Sequence, residues 1–329
     1  MRHRLLKAAL GACAAAFVAG TSSAGDLPAK QAFGSEQMPS TGAPQAIGFY
    51  AKGCLSGGEA IPMNGPHWEV MRPSRNRRWG HPELIAFIER LSRNAAKAGW
   101  PGLLIGDMAQ PRGGPMITGH ASHQIGLDVD LWYRPMPDRI LTDQERESWA
   151  ANSVLKPHSL YVDPSLWTPA RTALLKAAAT DPEVERIFVH PGVKKLLCDT
   201  VTGDRSWLHD IRPYWGHDDH FHVRLKCPPG SKTCKPQAAV PAGDGCDKSL
   251  AWWFTDQPWK PAPKPAKPVK PKPVMVSDLP PACRYVLNAP AAGSIAAVTY
   301  RADESKPAAA AEAPMLANVP LPDQRPDHP

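Results

Sequence analysis

Two short stretches concentrate the side chains able to do chemistry. The first, ITGHASHQIGLDVDLW over residues 117–132, holds His120, His123, Asp128 and Asp130; the second, WGHDDHFHVRLKC over 215–227, holds His217, His220 and His222. From Ile125 to Leu131 apolar and polar residues alternate. As a strand, this run turns Leu127, Val129 and Leu131 to one face and Asp128 and Asp130 to the other. Two carboxylates on a buried face are costly unless positive charge meets them. His220 and His222 are two residues apart, so on a second strand both rings project to one side while Phe221 and Val223 take the other. Imidazole and carboxylate groups without thiolate suit zinc, and a site with three protein ligands keeps a position for water. Any one of these histidines could be an ordinary core or surface group; the H-x6-D spacing combined with H-x-H on another strand is what points to a metal. Asp128 has two readings, a partner that orients a ligating histidine or an exposed carboxylate.

The elements that must bring these stretches together are mixed in type. His81-Pro82-Glu83 opens a helix with Leu84, Phe87, Ile88, Leu91 and Ala95 on one face, and Gly99 ends it. Leu103–Asp107 is a short β-rich run, and Pro111–Pro115 is a loop in which Arg112 could meet a substrate carboxylate or lie solvated. Helices are expected over Thr142–Asn152, opened by Thr142 with Glu145 three residues on, and over Pro169–Ala179, with a strand at Arg186–Val189. Residues 25–60 are rich in Gly, Ser and Pro and read as an extended arm tied down by Cys54. Without regular βαβ alternation the fold class is α+β. Trp132, Trp207, Trp215, Trp252 and Trp253 could line a substrate groove, although packing is the commoner use of tryptophan.

The ends of the 329-residue chain differ from its middle. An apolar run, Ala8–Gly20, follows a basic start and precedes Thr21-Ser22-Ser23-Ala24, the three parts of a secretory signal peptide over residues 1–24. The run is too short to span a membrane. Cys13 loosely fits a lipoprotein processing site but has few apolar residues before it. Sixteen of the 38 prolines fall in residues 258–329, which marks a boundary between a domain at 25–257 and a Pro/Lys-rich strap and tail. The net charge of +7 divides as +3 in the signal, +3 in the strap and tail, and +1 in the body. A nucleic-acid-binding domain is therefore not indicated. Six cysteines remain after export, an even number that suits three disulfides in an oxidising compartment better than a thiolate zinc site, since no C-x-x-C pair exists. Proximity favours only Cys227 with Cys234.

The motifs as a set resemble the metallopeptidase group that contains lysostaphin-type endopeptidases, D-Ala-D-Ala peptidases and the hedgehog signalling domain. More closely, the chain resembles the penicillin-insensitive murein endopeptidase family. WEVMR at 68–72, GHPELIAFIERLS at 80–92, LLIGDM at 103–108, GHASHQIGLDVDLW at 119–132, RIFVHP at 186–191 and HVRLKCP at 222–228 carry the likeness, from about Cys54 to Cys283. It implies a periplasmic zinc enzyme that cuts the D-alanyl–meso-diaminopimelyl cross-links of peptidoglycan. It also implies His123, Asp130 and His222 as metal ligands, His220 as a catalytic histidine that is not a ligand, and His120 as a further metal-site histidine able to serve a second ion. The stretch LKPHSLYVDPSLW departs from the family, carrying His158 and Tyr161 where members have an Asp and a His. The family's cysteine pairing would be Cys54–Cys283, Cys198–Cys246 and Cys227–Cys234. The architecture to expect is a small central antiparallel sheet bearing the zinc site, flanked by helices and long disulfide-tied loops. A zinc D,D-carboxypeptidase or dipeptidase, and a non-catalytic murein-binding protein, are the rival readings; a serine mechanism lacks a nucleophile elbow.

Overall fold

A computed structural model describes residues 26–261 and 272–301. The expected signal peptide with Cys13, most of the Pro/Lys strap and the tail beyond Arg301 lie outside the described residues. Eleven strands are described: β1 Gln45–Phe49, β2 Lys52–Ser56, β3 Glu59–Ala60, β4 Asn64–Gly65, β5 Trp68–Val70, β6 Trp79–Gly80, β7 Leu103–Ile105, β8 Asp128–Trp132, β9 Val184–Val189, β10 Ile211–Pro213 and β11 His220–Leu225. Helices are α1 Ala29–Gly34, α2 Pro82–Lys97, α3 Asp143–Ser148, α4 Pro169–Ala179, α5 Pro191–Thr200, α6 Lys248–Trp252 and α7 Pro281–Asn288. The fold is α+β.

The main sheet has seven strands in the order β10-β9-β11-β8-β7-β5-β4. Its centre, β9 to β7, is antiparallel, but β10/β9 and β5/β7 pair in parallel. It is thus larger than the small antiparallel sheet expected, and mixed. Each parallel pair needs a crossover, which α5 supplies between β9 and β10 and α2 between β5 and β7. The alternation along β8 and β11 separates the two faces of the sheet. Val129, Leu131, Phe221, Val223 and Leu225 join Leu84, Phe87, Ile88 and Leu91 of α2 and Leu174, Leu175 and Ala178 of α4 in the main core. Burying each of these larger side chains contributes about 1.5–3 kcal/mol, so a one-residue slip of either strand is heavily penalised. That penalty fixes Asp128, Asp130, His220 and His222 on the opposite face.

Local signals set the helix ends. The His81 ring accepts from the Glu83 amide, Pro82 occupies the first turn, and Gly99 follows in a left-handed conformation at φ +85°. Thr142 and Glu145 form a reciprocal cap on α3. The helix stops at Ser148 instead of Asn152, because the Arg72 guanidinium takes the carbonyls of Arg146, Glu147 and Trp149 and satisfies the end of the helix from outside it.

The arm expected over residues 25–60 is not extended in its described part, residues 26–60. These residues contain α1 and the β1/β2 hairpin, with Ala46, Ile47, Cys54 and Leu55 buried. Their partners are distant in sequence: Phe33, Ile47 and Cys54 form a second core with Val276, Leu279, Cys283 and Val286. Disulfides join Cys54 to Cys283, Cys198 to Cys246 and Cys227 to Cys234. No described helix is long and apolar enough to cross a membrane.

Candidate metal centre

The pairing of β11 with β8 sets His222 opposite Asp130 and Arg224 opposite Asp128. These cross-strand partners are the charge compensation that the acidic strand requires. His222 Nδ1 lies 3.1 Å from Asp130 Oδ1 and its Nε2 lies 2.7 Å from Asp128 Oδ1. Arg224 Nε donates to the same Asp128 oxygen at 2.7 Å. Asp128 is fully buried, which settles its two readings in favour of the partner that orients a histidine.

The irregular segment between β7 and β8 brings the other two histidines. His123 is completely buried and held at φ +63°, a left-handed conformation uncommon for a residue with a side chain. Gly126, also left-handed at φ +73°, lets the loop pass where a Cβ would meet the Leu55 side chain at 2.7 Å and the His81 backbone at 3.0 Å. His123 Nε2 lies 3.4 Å from Asp130 Oδ1, and His120 Nε2 lies 3.5 Å from Asp130 Oδ2. His120, His123 and Asp130 form a group able to hold a metal ion, with ligand atoms within 4.8 Å of one another. His220 completes the ring around the carboxylate, with Nε2 3.7 Å from Asp130 Oδ1.

Burial and field set the charges. Burial lowers the pKa of the His123 imidazole against the pull of Asp130. Burial alone would raise the Asp130 carboxyl, but His123 and His220 outweigh it and hold the carboxylate well below the usual range. For His220 burial opposes protonation, yet Asp130 and the Asp219 carboxylate, 2.6 Å from Nδ1, push the ring up to about 9. His222 is likewise raised against its burial by Asp128 and Asp130. His217, whose ring centroid is 4.9 Å from that of His220, is lowered to about 3, by burial first and then by its cationic neighbours.

All five site residues singled out in the sequence, His120, His123, Asp130, His220 and His222, meet here. Two residues that the sequence reading did not single out hold them in place. Asp107, at the end of β7, accepts from His120 Nε2 at 3.0 Å, Arg77 Nη1 at 2.8 Å and Arg75 Nη1 at 3.1 Å. Asp219 orients His220. Both lie inside quoted motifs, LLIGDM and WGHDDHFH, so proximity to the histidines was the available signal. Arg112 is elsewhere: it is buried, donates to the carbonyls of Val286, Leu287 and Ala289 at the C-terminal end of α7, and pairs with Glu36, so it meets neither solvent nor this site. His158 is exposed and Tyr161 stacks on Phe254. Trp207 packs in the main core, Trp132 and Trp253 are buried yet border two cavities beside the cluster, and Trp215 and Trp252 are exposed at 44% and 38%.

Two open cavities flank the cluster. One, of about 510 Å³, borders His120, His217 and His222; the other, of about 350 Å³, borders His120, Asp130 and His220. Residues 46–288 match the family model described as penicillin-insensitive murein endopeptidase. A Haemophilus influenzae protein of that name is 45% identical over 244 residues, covering 74% of this chain and 82% of the relative. A Yersinia enterocolitica protein of the same name is 44% identical over 258 residues, 76% and 88% respectively, and one from Klebsiella pneumoniae is 43% identical over 259 residues, 76% and 89%.

Proposed function

Because the chain belongs to the penicillin-insensitive murein endopeptidase family, and so is a peptidase, we propose that it is a zinc endopeptidase hydrolysing the D-alanyl–meso-diaminopimelyl cross-links of peptidoglycan in the periplasm. The observation that carries this reading is the approach of His123 Nε2 and His222 Nδ1 to one oxygen, Asp130 Oδ1, with His120 and His220 beside it and two cavities bordering the cluster. The residues suit the metal. Both ring nitrogens of His123 and Oδ1 of Asp130 are buried without a hydrogen-bond partner among the described residues. Each such orphan costs about 1–3 kcal/mol, which a cation at the cluster would offset. Tetrahedral bonds of about 2.0–2.1 Å give ligand–ligand edges of about 3.3 Å. The 3.1 and 3.4 Å separations from Asp130 Oδ1 to His222 Nδ1 and His123 Nε2 match that edge. Three disulfides fit an oxidising compartment.

Zinc held by these residues supplies a Lewis acid that polarises a scissile carbonyl and lowers the pKa of water toward about 7. The chain's own residues do the rest. Asp128 takes the Nε2 side of His222 and leaves Nδ1 facing the cluster, where the ring must give up a proton to become a ligand. Asp219 holds His220 by Nδ1 and points Nε2 at the reacting position. With the charge of Asp130 offset by a bound cation, His220 loses the carboxylate that contributes most to holding it protonated, and the freed Nε2 would take the proton of the attacking water and deliver it to the departing amine, work worth roughly 10²- to 10⁴-fold. Two cavities border the cluster, and this room for substrate favours cutting within a chain over release of a terminal residue by a D,D-carboxypeptidase.

The test is digestion of purified sacculi and cross-linked muropeptide dimers, with a chelator and after zinc is restored. His123→Ala should lose zinc and rate together, while His220→Ala should keep zinc and lose 10²- to 10⁴-fold in rate. Full activity of metal-stripped His123→Ala would end the zinc reading. Unchanged turnover in His220→Ala would remove only the proton-transfer role, and D-Ala release from monomeric pentapeptides with intact dimers would support the carboxypeptidase.

A further inference from the structure

The wall of the larger cavity carries three guanidinium groups, from Arg186, Arg212 and Arg224. They come from three adjacent strands. Arg224 on β11 stands directly opposite Arg186 on β9, and Arg212 on β10 stands opposite Phe188, two residues further along β9. Like charges set opposite each other across strands are destabilising, so the arrangement calls for a counter-charge. Asp128 matches Arg224 alone, and the Arg224 guanidinium is further occupied by Gln237 at 2.7 Å and by the face of Tyr50 at 3.6 Å. Arg186 donates to the Ala238 carbonyl at 2.6 Å, yet its Nε is buried with no partner among the described residues. Nη1 of Arg212 is buried and unpartnered in the same way. The acids whose charge reaches these two arginines are Glu185 for Arg186 and Asp210 and Asp247 for Arg212; among the described residues none of these hydrogen-bonds either guanidinium, and Glu185 accepts from the Gln237 amide at 3.1 Å. Arg186 Nε and Arg212 Nη1 are both enclosed, so the cavity meets the part-exposed remainder of the Arg186 and Arg212 side chains, next to His222.

We propose that Arg186 and Arg212, with Arg224 adding positive charge from the neighbouring strand, form a subsite for one anion, the free carboxylate on the carbon that bears the scissile nitrogen. This rests on the peptidase reading above and extends it to substrate selection. In a D-alanyl–diaminopimelyl cross-link the D-alanyl carboxyl is consumed by the bond itself, so the nearest free carboxylate on that side lies at least a residue away. On the amine side, the carbon attached to the scissile nitrogen carries one. A subsite that borders His222 is placed for the closer of the two. Guanidinium forks bind carboxylates with charge-assisted, often bidentate hydrogen bonds.

The experiment compares cross-linked dimers whose amine-side carboxylate is free with dimers in which it is amidated, using the full chain loaded with zinc. For the wild type, amidation should lower kcat/KM by roughly 10- to 100-fold, chiefly through KM, as expected for loss of a hydrogen-bonded charge. Arg212→Gln should cut the free-acid dimer at about the rate at which wild type cuts the amide, with discrimination reduced to a few-fold and zinc content unchanged. Arg186→Gln provides the same readout should Arg212→Gln fold poorly, and the wild-type comparison requires no variant. Equal cleavage of both dimers by the wild type overturns the subsite while leaving the peptidase reading intact. Failure of the wild type to cut either dimer overturns that reading and the subsite with it.

Discussion

Replacing Asp128 with Asn takes one negative charge from a fully buried position and leaves the side-chain volume nearly unchanged. Two consequences can be sized. Asp128 Oδ1 is the partner of His222 Nε2 at 2.7 Å, and loss of such an anionic support typically weakens metal binding 10- to 100-fold, about 1.4–2.8 kcal/mol. The same oxygen pairs with Arg224, which is 3% exposed. Removing one partner of a buried ion pair costs about 3–5 kcal/mol, and the lower end applies because the amide oxygen still accepts from Arg224. Competition with a chromophoric chelator reads the first effect, and urea denaturation of the metal-free protein reads the second. The Asp128→Asn/Arg224→Met double variant should be less destabilised than the sum of its single changes, since no uncompensated charge remains. Zinc affinity within threefold of wild type in a folded Asp128→Asn protein would refute the orienting role. Unchanged metal-free stability would refute the account of the Asp128–Arg224 pair.

Arg112→Ala should destabilise the protein by about 3 kcal/mol, because it strands three carbonyls that the guanidinium now serves within 2.8 Å, while kcat/KM stays within threefold of wild type. A large kinetic loss at unchanged melting temperature would return Arg112 to a substrate role. Burial alone would raise Asp107, but His120, Arg75 and Arg77 lower its carboxyl from 3.8 to about 2. The folded state thus holds this proton more weakly than the unfolded chain does. The resulting stabilisation, about 2 kcal/mol, is fully present above pH 4 and is lost as pH falls through 2. In metal-free denaturation the gap between wild type and Asp107→Asn should narrow from pH 5 toward pH 2, and a gap independent of pH would count against the cluster around Asp107.

Strict alternation from Ile125 to Leu131, and again around His220 and His222, made both site strands and their inward faces legible, since a period of two survives whatever packs against it. The caps of α2 and α3 were legible for the same reason: the groups that satisfy each helix start are only two or three residues away. Residue types then indicated a metal, and long agreement with one peptidase family indicated a reaction. Other features depended on residues far apart in the chain. The end of α3 is set by Arg72, the burial of residues 29–56 by the segment around Cys283, and the place of Arg112 by the carbonyls at the C-terminal end of α7. Spacing favoured only the Cys227–Cys234 bridge, because the other two pairs span 48 and 229 residues.

From the sequence alone came the ligand types, their strand faces and the family. Tertiary structure decided the register that sets His222 against Asp130, the supporting carboxylates Asp107 and Asp219, and the meeting of three arginines from three strands in one cavity. Hydrogen bonds and charge pairs act over a few ångströms of space, and only the folded chain brings residues 107, 130, 186 and 222 within that range.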